Sequence, residues 1–144
     1  MIFWDASAVV PLLVKQASTS IAEDLLDRDP EMFVWWGTPV ECSSALLRLV
    51  RDLMLSENSL RDAERRLTAL RDSWNEIMPA DTCRRMAERM TRIHPLRAAD
   101  AFQLAAAVIA SDNDPRNVQM VCFDTRLAAA ARKEGFTVLD GLSR

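Results

Sequence analysis

An α/β sandwich with a parallel sheet is the fold this sequence predicts, and three observations predict it. Short apolar, β-branched or aromatic runs recur along the chain, at Met1 to Trp4, Met32 to Trp36, Val118 to Phe123 and Phe136 to Leu139. Segments with apolar residues at helical spacing separate them. Strands alternating with helices need crossover connections, which make neighbouring strands parallel. Third, 144 residues with 49% hydrophobic content suit a single domain, 1–144, with a substantial core.

Each element has its local reason. Met1 to Trp4 reads as a short buried strand, and Ala8 to Val14 as a brief helix. Ser18 to Asp27 is a helix that Ser18 or Thr19 can cap, with Ile21, Ala22, Leu25 and Leu26 on one face. Asp29-Pro30 breaks the chain before the strand Met32 to Trp36. Consecutive Trp35 and Trp36 cannot point to the same face of that strand. Thr38, Pro39 and Glu41 then have the spacing of a capping box with proline at the first helical position, opening a helix to about Met54.

Ser59 to Glu76 is amphipathic, with Leu60, Ala63, Leu67, Leu70 and Trp74 on one side and Arg61, Arg65, Arg66 and Arg71 on the other. Ile77 to Pro79 is a candidate short strand. Asp81 can cap a helix that His94-Pro95 ends. Leu96 to Ser111 is a long apolar helix, and a polar loop from Asp112 to Asn117 follows it. Val118 to Phe123 is a strand, Thr125 to Glu134 a helix closed by Gly135, and Phe136 to Leu139 the last strand.

Composition removes several function classes. A net charge of −3 argues against non-specific coating of nucleic acid, though not against a nuclease with its acidic surplus in the site. No apolar run approaches a membrane span, and the MIFWDAS start has no signal-peptide pattern, so a cytoplasmic protein is expected. Cys42, Cys83 and Cys122 lack zinc-ligand spacing and read as reduced, packed thiols. A Ser/His/Asp or Cys/His mechanism would need His94, the one histidine, and nothing places it beside a nucleophile.

Four carboxylates are attached to elements that read as buried. Asp5 closes the first strand, Glu41 opens an apolar helix, Asp100 lies inside LRAADAFQLAAAVIA, and Asp124 follows the run Val118 to Phe123. In a parallel sheet, ligands collect beyond the carboxyl ends of the strands, and all four belong to that edge. Brought together they would repel and raise one another's pKa values. A hard divalent cation resolves the conflict, because Mg²⁺ prefers oxygen ligands. The pattern points to metal-dependent hydrolysis of phosphodiesters. Structural roles stand beside this reading: Asp5 and Asp124 are good helix caps, and Glu41 suits a capping box. Asp100 could pair with Arg97 or answer the helix dipole. Ser7 could bond the Asp5 carboxylate, a bound water or the local backbone, and Thr125 shares that ambiguity. Arg97, Arg126 and Arg92 are the cations nearest in sequence and the candidates for phosphate contact.

The stretches FWDASAVVPLLV, TPVECSSAL, LRAADAFQLAAA and VCFDTRLAAAARKEGFTVL occur in the order of the PIN-domain ribonucleases. Over nearly its whole length the chain resembles that family, specifically the VapC-like toxins of toxin–antitoxin pairs. Arg51 to Arg92 matches only in helical character. The resemblance implies a three-layer α/β/α sandwich with a mostly parallel central sheet. It implies an endoribonuclease site that uses Mg²⁺ or Mn²⁺, built from Asp5, Glu41, Asp100 and Asp124, with Ser7 as the polar residue after the first Asp. The expected partners are an RNA substrate, a cognate antitoxin protein and a second copy in a homodimer, with no membrane. Metal-assisted hydrolysis would place Asp5 and Asp100 closest to one or two ions.

Three other kinds of protein place an acid after the first strand or share this fold. An aspartyl-phosphate phosphatase would carry a second Asp where Ser7 stands. A receiver domain would have paired acids after the first strand and a late lysine, whereas the lysines here are Lys15 and Lys133. A catalytically inactive PIN-like module that binds RNA or protein is the stronger alternative, and it would be expected to have lost a carboxylate.

Overall fold

A computed structural model describes residues 1–142. In chain order the elements are β1 (Ile2–Trp4), α1 (Ala6–Leu13), α2 (Thr19–Arg28), β2 (Met32–Trp35), α3 (Thr38–Arg51), α4 (Glu57–Arg71) and β3 (Asn75–Ile77). There follow α5 (Asp81–Ile93), α6 (Ala98–Ala110), a 3₁₀ turn at Pro115–Asn117, β4 (Gln119–Val121), α7 (Thr125–Lys133) and β5 (Thr137–Leu139). The sheet has the order β3-β2-β1-β4-β5, and every neighbouring pair is parallel.

Alternation of side chains across this sheet divides the core in two. Ile2, Trp4, Met32 and Val34 face one way, into a cluster with Val9, Leu13, Leu46, Leu60 and Leu67 from α1, α3 and α4. Phe3, Trp35, Met120 and Val138 face the other way, against Met90, Leu104 and Leu127 from α5, α6 and α7. The fold is therefore a three-layer α/β/α sandwich, as expected. The chain runs outward from β1 to β3 and then returns to place β4 on the other side of β1. That reversal between β1 and β4 opens a crevice at their carboxyl ends.

The expected elements all form, with shifted boundaries. The helix after β1 begins at Ala6, because the Asp5 side chain caps it by accepting from the Ser7 N–H. The capping box at Thr38 does not form: Gly37 is the N-cap of α3, and the Thr38 hydroxyl accepts a hydrogen bond from Gln103 instead. Ala80, not Asp81, caps α5, while Asp81 pairs with Arg84 in the first turn. Helix α4 stops at Arg71, earlier than its apolar stripe suggests. Trp74 still packs inward, but from the link after the helix, and the following strand is Asn75–Ile77. Gly135 lies just past the α7 cap with φ 102°, where a side chain would be strained.

Candidate active site

The four carboxylates reach the carboxyl edge from different parts of the chain. Asp5 directly follows β1 and is 3% exposed. Asp124 lies three residues beyond β4, where its side chain caps α7 by accepting from the Leu127 N–H at 2.8 Å. Glu41 stands in the first turn of α3 and Asp100 in the first turn of α6, so one comes from each helical layer. All four line one cleft of about 490 Å³, together with Ser7, Val10, Arg48 and Arg97. An adjoining recess shares Arg97, Asp100 and Asp124 and adds Thr125 and Arg126. Arg92 lines neither.

Local bonding fixes the walls. The Ser7 hydroxyl accepts from the backbone N–H groups of Phe123, at 2.9 Å, and Asp124, at 3.2 Å. One side chain after β1 thus clamps the loop after β4, while the Ser7 backbone N–H holds the Asp5 carboxylate at 3.0 Å. On the opposite wall, the Gln103 amide donates to Glu41 Oε1 at 2.9 Å and to the Thr38 hydroxyl at 3.0 Å. Gln103 is fully buried, and among the described residues its own oxygen has no partner.

Burial and mutual repulsion dominate the electrostatics. Burial is the main cause that raises Asp5 to about 6; Ser7 opposes it, and Asp100 and Asp124 add to it. Burial, then Asp5, pushes Glu41 up to about 7, while the bond from Gln103 pulls the other way. Asp100 is also raised, first by burial and then by Asp124, with Arg97 and Arg126 opposing. Among the described residues none of the four takes part in a salt bridge.

An all-oxygen, anionic donor set without a paired cation fits a hard divalent ion. Among the described residues, no three His, Cys, Asp or Glu side chains stand close enough together to hold a metal ion between them. The carboxylates are spread over the cleft walls, so the set suits an ion that keeps several waters. The thiols do not enter this chemistry. All three are free and buried, and burial beside Glu41 and Asp5 raises Cys42 to about 12.

Two residues of the site escape the sequence: Arg48, which lines the cleft, and Gln103, buried behind it. Arg48 lies seven residues after Glu41, two helical turns along the same face of α3. Gln103 is one turn after Asp100 in α6, a polar residue set in an otherwise apolar run. Both were findable by following the helix face of a carboxylate.

No family model matches the chain. Curated relatives do. Ribonuclease VapC45 of Mycobacterium tuberculosis strain CDC 1551 is 32% identical over 142 residues, 96% of this chain and 94% of the relative. Ribonuclease VapC49 of strain H37Rv matches to the same extent. Among solved structures, FitAcB from Neisseria gonorrhoeae aligns with a TM-score of 0.68 and 17% identity over all of both chains. A toxin–antitoxin complex from Klebsiella pneumoniae aligns with a TM-score of 0.64 and 16% identity over 96% of each chain. VapBC2 from Rickettsia felis, bound to a DNA fragment from their promoter, gives 0.63 and 11% over 96% of this chain and 98% of that one. The structural likenesses establish the shared fold. The identity to the two ribonucleases, sustained over nearly the full length of both sequences, places this chain in the VapC ribonuclease family.

Proposed function

We propose that the protein is a metal-dependent endoribonuclease, the toxin of a toxin–antitoxin pair, with residues 1–144 as one nuclease domain. The observation that carries this reading is the convergence of Asp5, Glu41, Asp100 and Asp124 on one cleft at the β1/β4 crevice, in a chain of this family. Asp5 and Asp100 would hold Mg²⁺ or Mn²⁺ most directly, with Glu41 and Asp124 reaching it directly or through water. Such an ion supplies charge stabilisation at the scissile phosphate and lowers the pKa of a bound water.

The protein's own groups do the rest. Gln103 occupies Glu41 Oε1, which leaves Oε2 to take a proton from the attacking water. As water adds to phosphorus, the bond to the leaving oxygen breaks, and that oxygen gains a proton from solvent. Arg97 and Arg126, on the rim with Thr125, offset the negative charge of the strand. Arg48 extends the same function along α3. Ser7 keeps Asp124 in register with Asp5 through its two backbone bonds.

An antitoxin protein is the expected partner, as in the Klebsiella pneumoniae toxin–antitoxin complex of the same fold. A homodimer is expected as well, since symmetric pairs are the commonest oligomers. Light scattering that shows only monomer at high concentration would count against the dimer. Among the described residues no helix is long and apolar enough to cross a membrane.

The functional test is hydrolysis of labelled RNA with Mn²⁺, with and without chelator. Cleavage of single-stranded or looped RNA that stops in chelator is the expected result. Full activity in excess chelator would sink the metal role, and binding without cleavage under any metal would point to an inactive module.

A further inference from the structure

The edge of the sheet that carries the acidic cleft carries a second recess, beyond the ends of β2 and β3, and this one is aromatic. Trp35 stacks on Phe102, with ring centroids 5.3 Å apart and planes 6° from parallel. Trp36 meets Trp35 edge-on at 6.4 Å and 73°. Trp36 is 50% exposed, yet its backbone N–H is fixed by the Ile77 carbonyl at 3.1 Å. The residue beside it is Gly37, where a Cβ would come within 2.5 Å of the Trp35 indole nitrogen. An anchored tryptophan therefore leaves half its surface uncovered in a lined recess of about 540 Å³.

The charges on the rim decide which part of a ligand belongs there. Arg84 and Asp81 line the recess and are paired with each other at 2.8 Å. A phosphate would have to break that pair, whereas a flat, uncharged ring would not. The recess shares no lining residue with the acidic cleft but neighbours it across the first turns of α3 and α6. Phe102 lies two residues after Asp100 and next to Gln103 in α6, and Gly37 precedes Thr38, which Gln103 holds. A strand whose phosphodiester lies at the carboxylates, and which runs along the first turns of α3 and α6, would carry a nearby nucleotide toward the indole.

We propose that this recess is a nucleobase-stacking subsite, in which Trp36 holds an unpaired base of the RNA next to the scissile phosphate. The proposal rests on the ribonuclease reading above. Single-stranded RNA is commonly held by bases stacked on aromatic side chains, and every base has a face to offer. Trp36 then selects for strands in which a base beside the cleavage point is free to unstack.

The test uses Trp36→Ala and Trp36→Phe with short synthetic single-stranded RNAs. One set of these RNAs is intact, and another carries a single abasic site at each position in turn. Binding is read by fluorescence anisotropy in chelator, and KM and kcat by cleavage with Mn²⁺. Loss of one stacked base costs about 5- to 150-fold in affinity. Trp36→Ala should weaken binding and raise KM within that range while kcat changes far less, and Trp36→Phe should remain near the parent. One abasic position should cost the parent as much as Trp36→Ala does, and should cost that variant nothing more. Parental binding and KM in Trp36→Ala, or abasic costs identical in parent and variant, would overturn the proposal and leave the recess to a protein partner. A parent protein that neither binds nor cuts any RNA overturns the ribonuclease reading first, and the subsite with it.

Discussion

Gln103 and Glu41 meet behind the acidic cleft, amide nitrogen to carboxylate oxygen at 2.9 Å, and so tie α6 to α3. The contact joins the two helical layers at the point where each delivers a carboxylate. Its effect on Glu41 is directional: a donor to the charged form favours that form, and burial and Asp5 work against it.

Removal of that donor has a readable consequence. Gln103→Leu keeps the volume approximately and deletes the bond, so Glu41 should be pushed further above the ordinary carboxylate range. Hydrogen bonds to charged groups contribute about 1.5–3 kcal/mol. Cleavage at neutral pH should fall by roughly 10- to 100-fold, which is the same energy expressed as a rate. The acid limb of the pH–rate profile should move to higher pH. An unmoved limb would mean that Gln103 only packs.

Ser7 gives a structural counterpart. Its hydroxyl accepts from two backbone N–H groups in the loop that presents Asp124. Ser7→Ala leaves both donors without that partner, at a cost of about 1–2 kcal/mol. The melting temperature should drop by a few degrees. Cleavage should fall with it, because Asp124 loses its register with Asp5. If the variant melts like the parent but has lost activity, the hydroxyl acts on water or substrate and not on the loop.

The raised carboxylates predict how the metal-free protein answers to pH. Asp5 moves from 3.8 to about 6 and Glu41 from 4.5 to about 7 on folding. The native state therefore holds more protons than the unfolded state between those values, and stability must fall as pH rises through that window. In chelator, the melting temperature should increase as pH is lowered from about 7 to about 5. Below the ordinary carboxylate range the trend should reverse, because Asp29, Asp114 and Asp140 are held low by their partners and lose those contacts when protonated. A melting temperature flat between pH 5 and 7 in chelator would show that Asp5 and Glu41 do not carry this strain.

Much of this arrangement was legible in the sequence, for reasons that particular residues make clear. Apolar runs and helical spacing gave the element order, because each strand buried on both faces must be apolar throughout. The carboxylates stood out because Asp5 and Asp100 interrupt such runs. What the sequence could not display was competition between local and tertiary partners. Thr38 and Glu41 have capping-box spacing, but a buried amide from α6 takes both side chains. No local rule reveals a partner 65 residues away. The end of α4 is hidden from the sequence for a similar reason. Trp74 continues the apolar stripe, yet the helix has already turned, and Asn75 bonds the Met32 carbonyl to begin the edge strand. Cap and cleft roles for Asp5 and Asp124 are compatible: each residue caps a helix and lines the cleft at once.

Asp100 is where charge and fold oppose each other most plainly. It sits in the first turn of an apolar helix, is raised by burial and by Asp124, and has Arg97 and Arg126 only as distant compensation. Asp100→Asn preserves shape and removes one negative charge from the cleft. If Asp100 is a metal ligand, cleavage should drop by at least about 100-fold, since the ion supplies several kcal/mol of charge stabilisation. The metal-free variant should be as stable as the parent or more so, by relief of like-charge repulsion. Added Mg²⁺ or Mn²⁺ should raise the melting temperature of the parent more than that of the variant, because an ion stabilises only the state that forms its site. Melting of both proteins in chelator and in metal, alongside RNA cleavage, separates the cases. A variant that is clearly less stable in chelator and shows an unchanged metal response would make Asp100 a structural residue of the helix end, and the carboxylate site would have to be rebuilt without it.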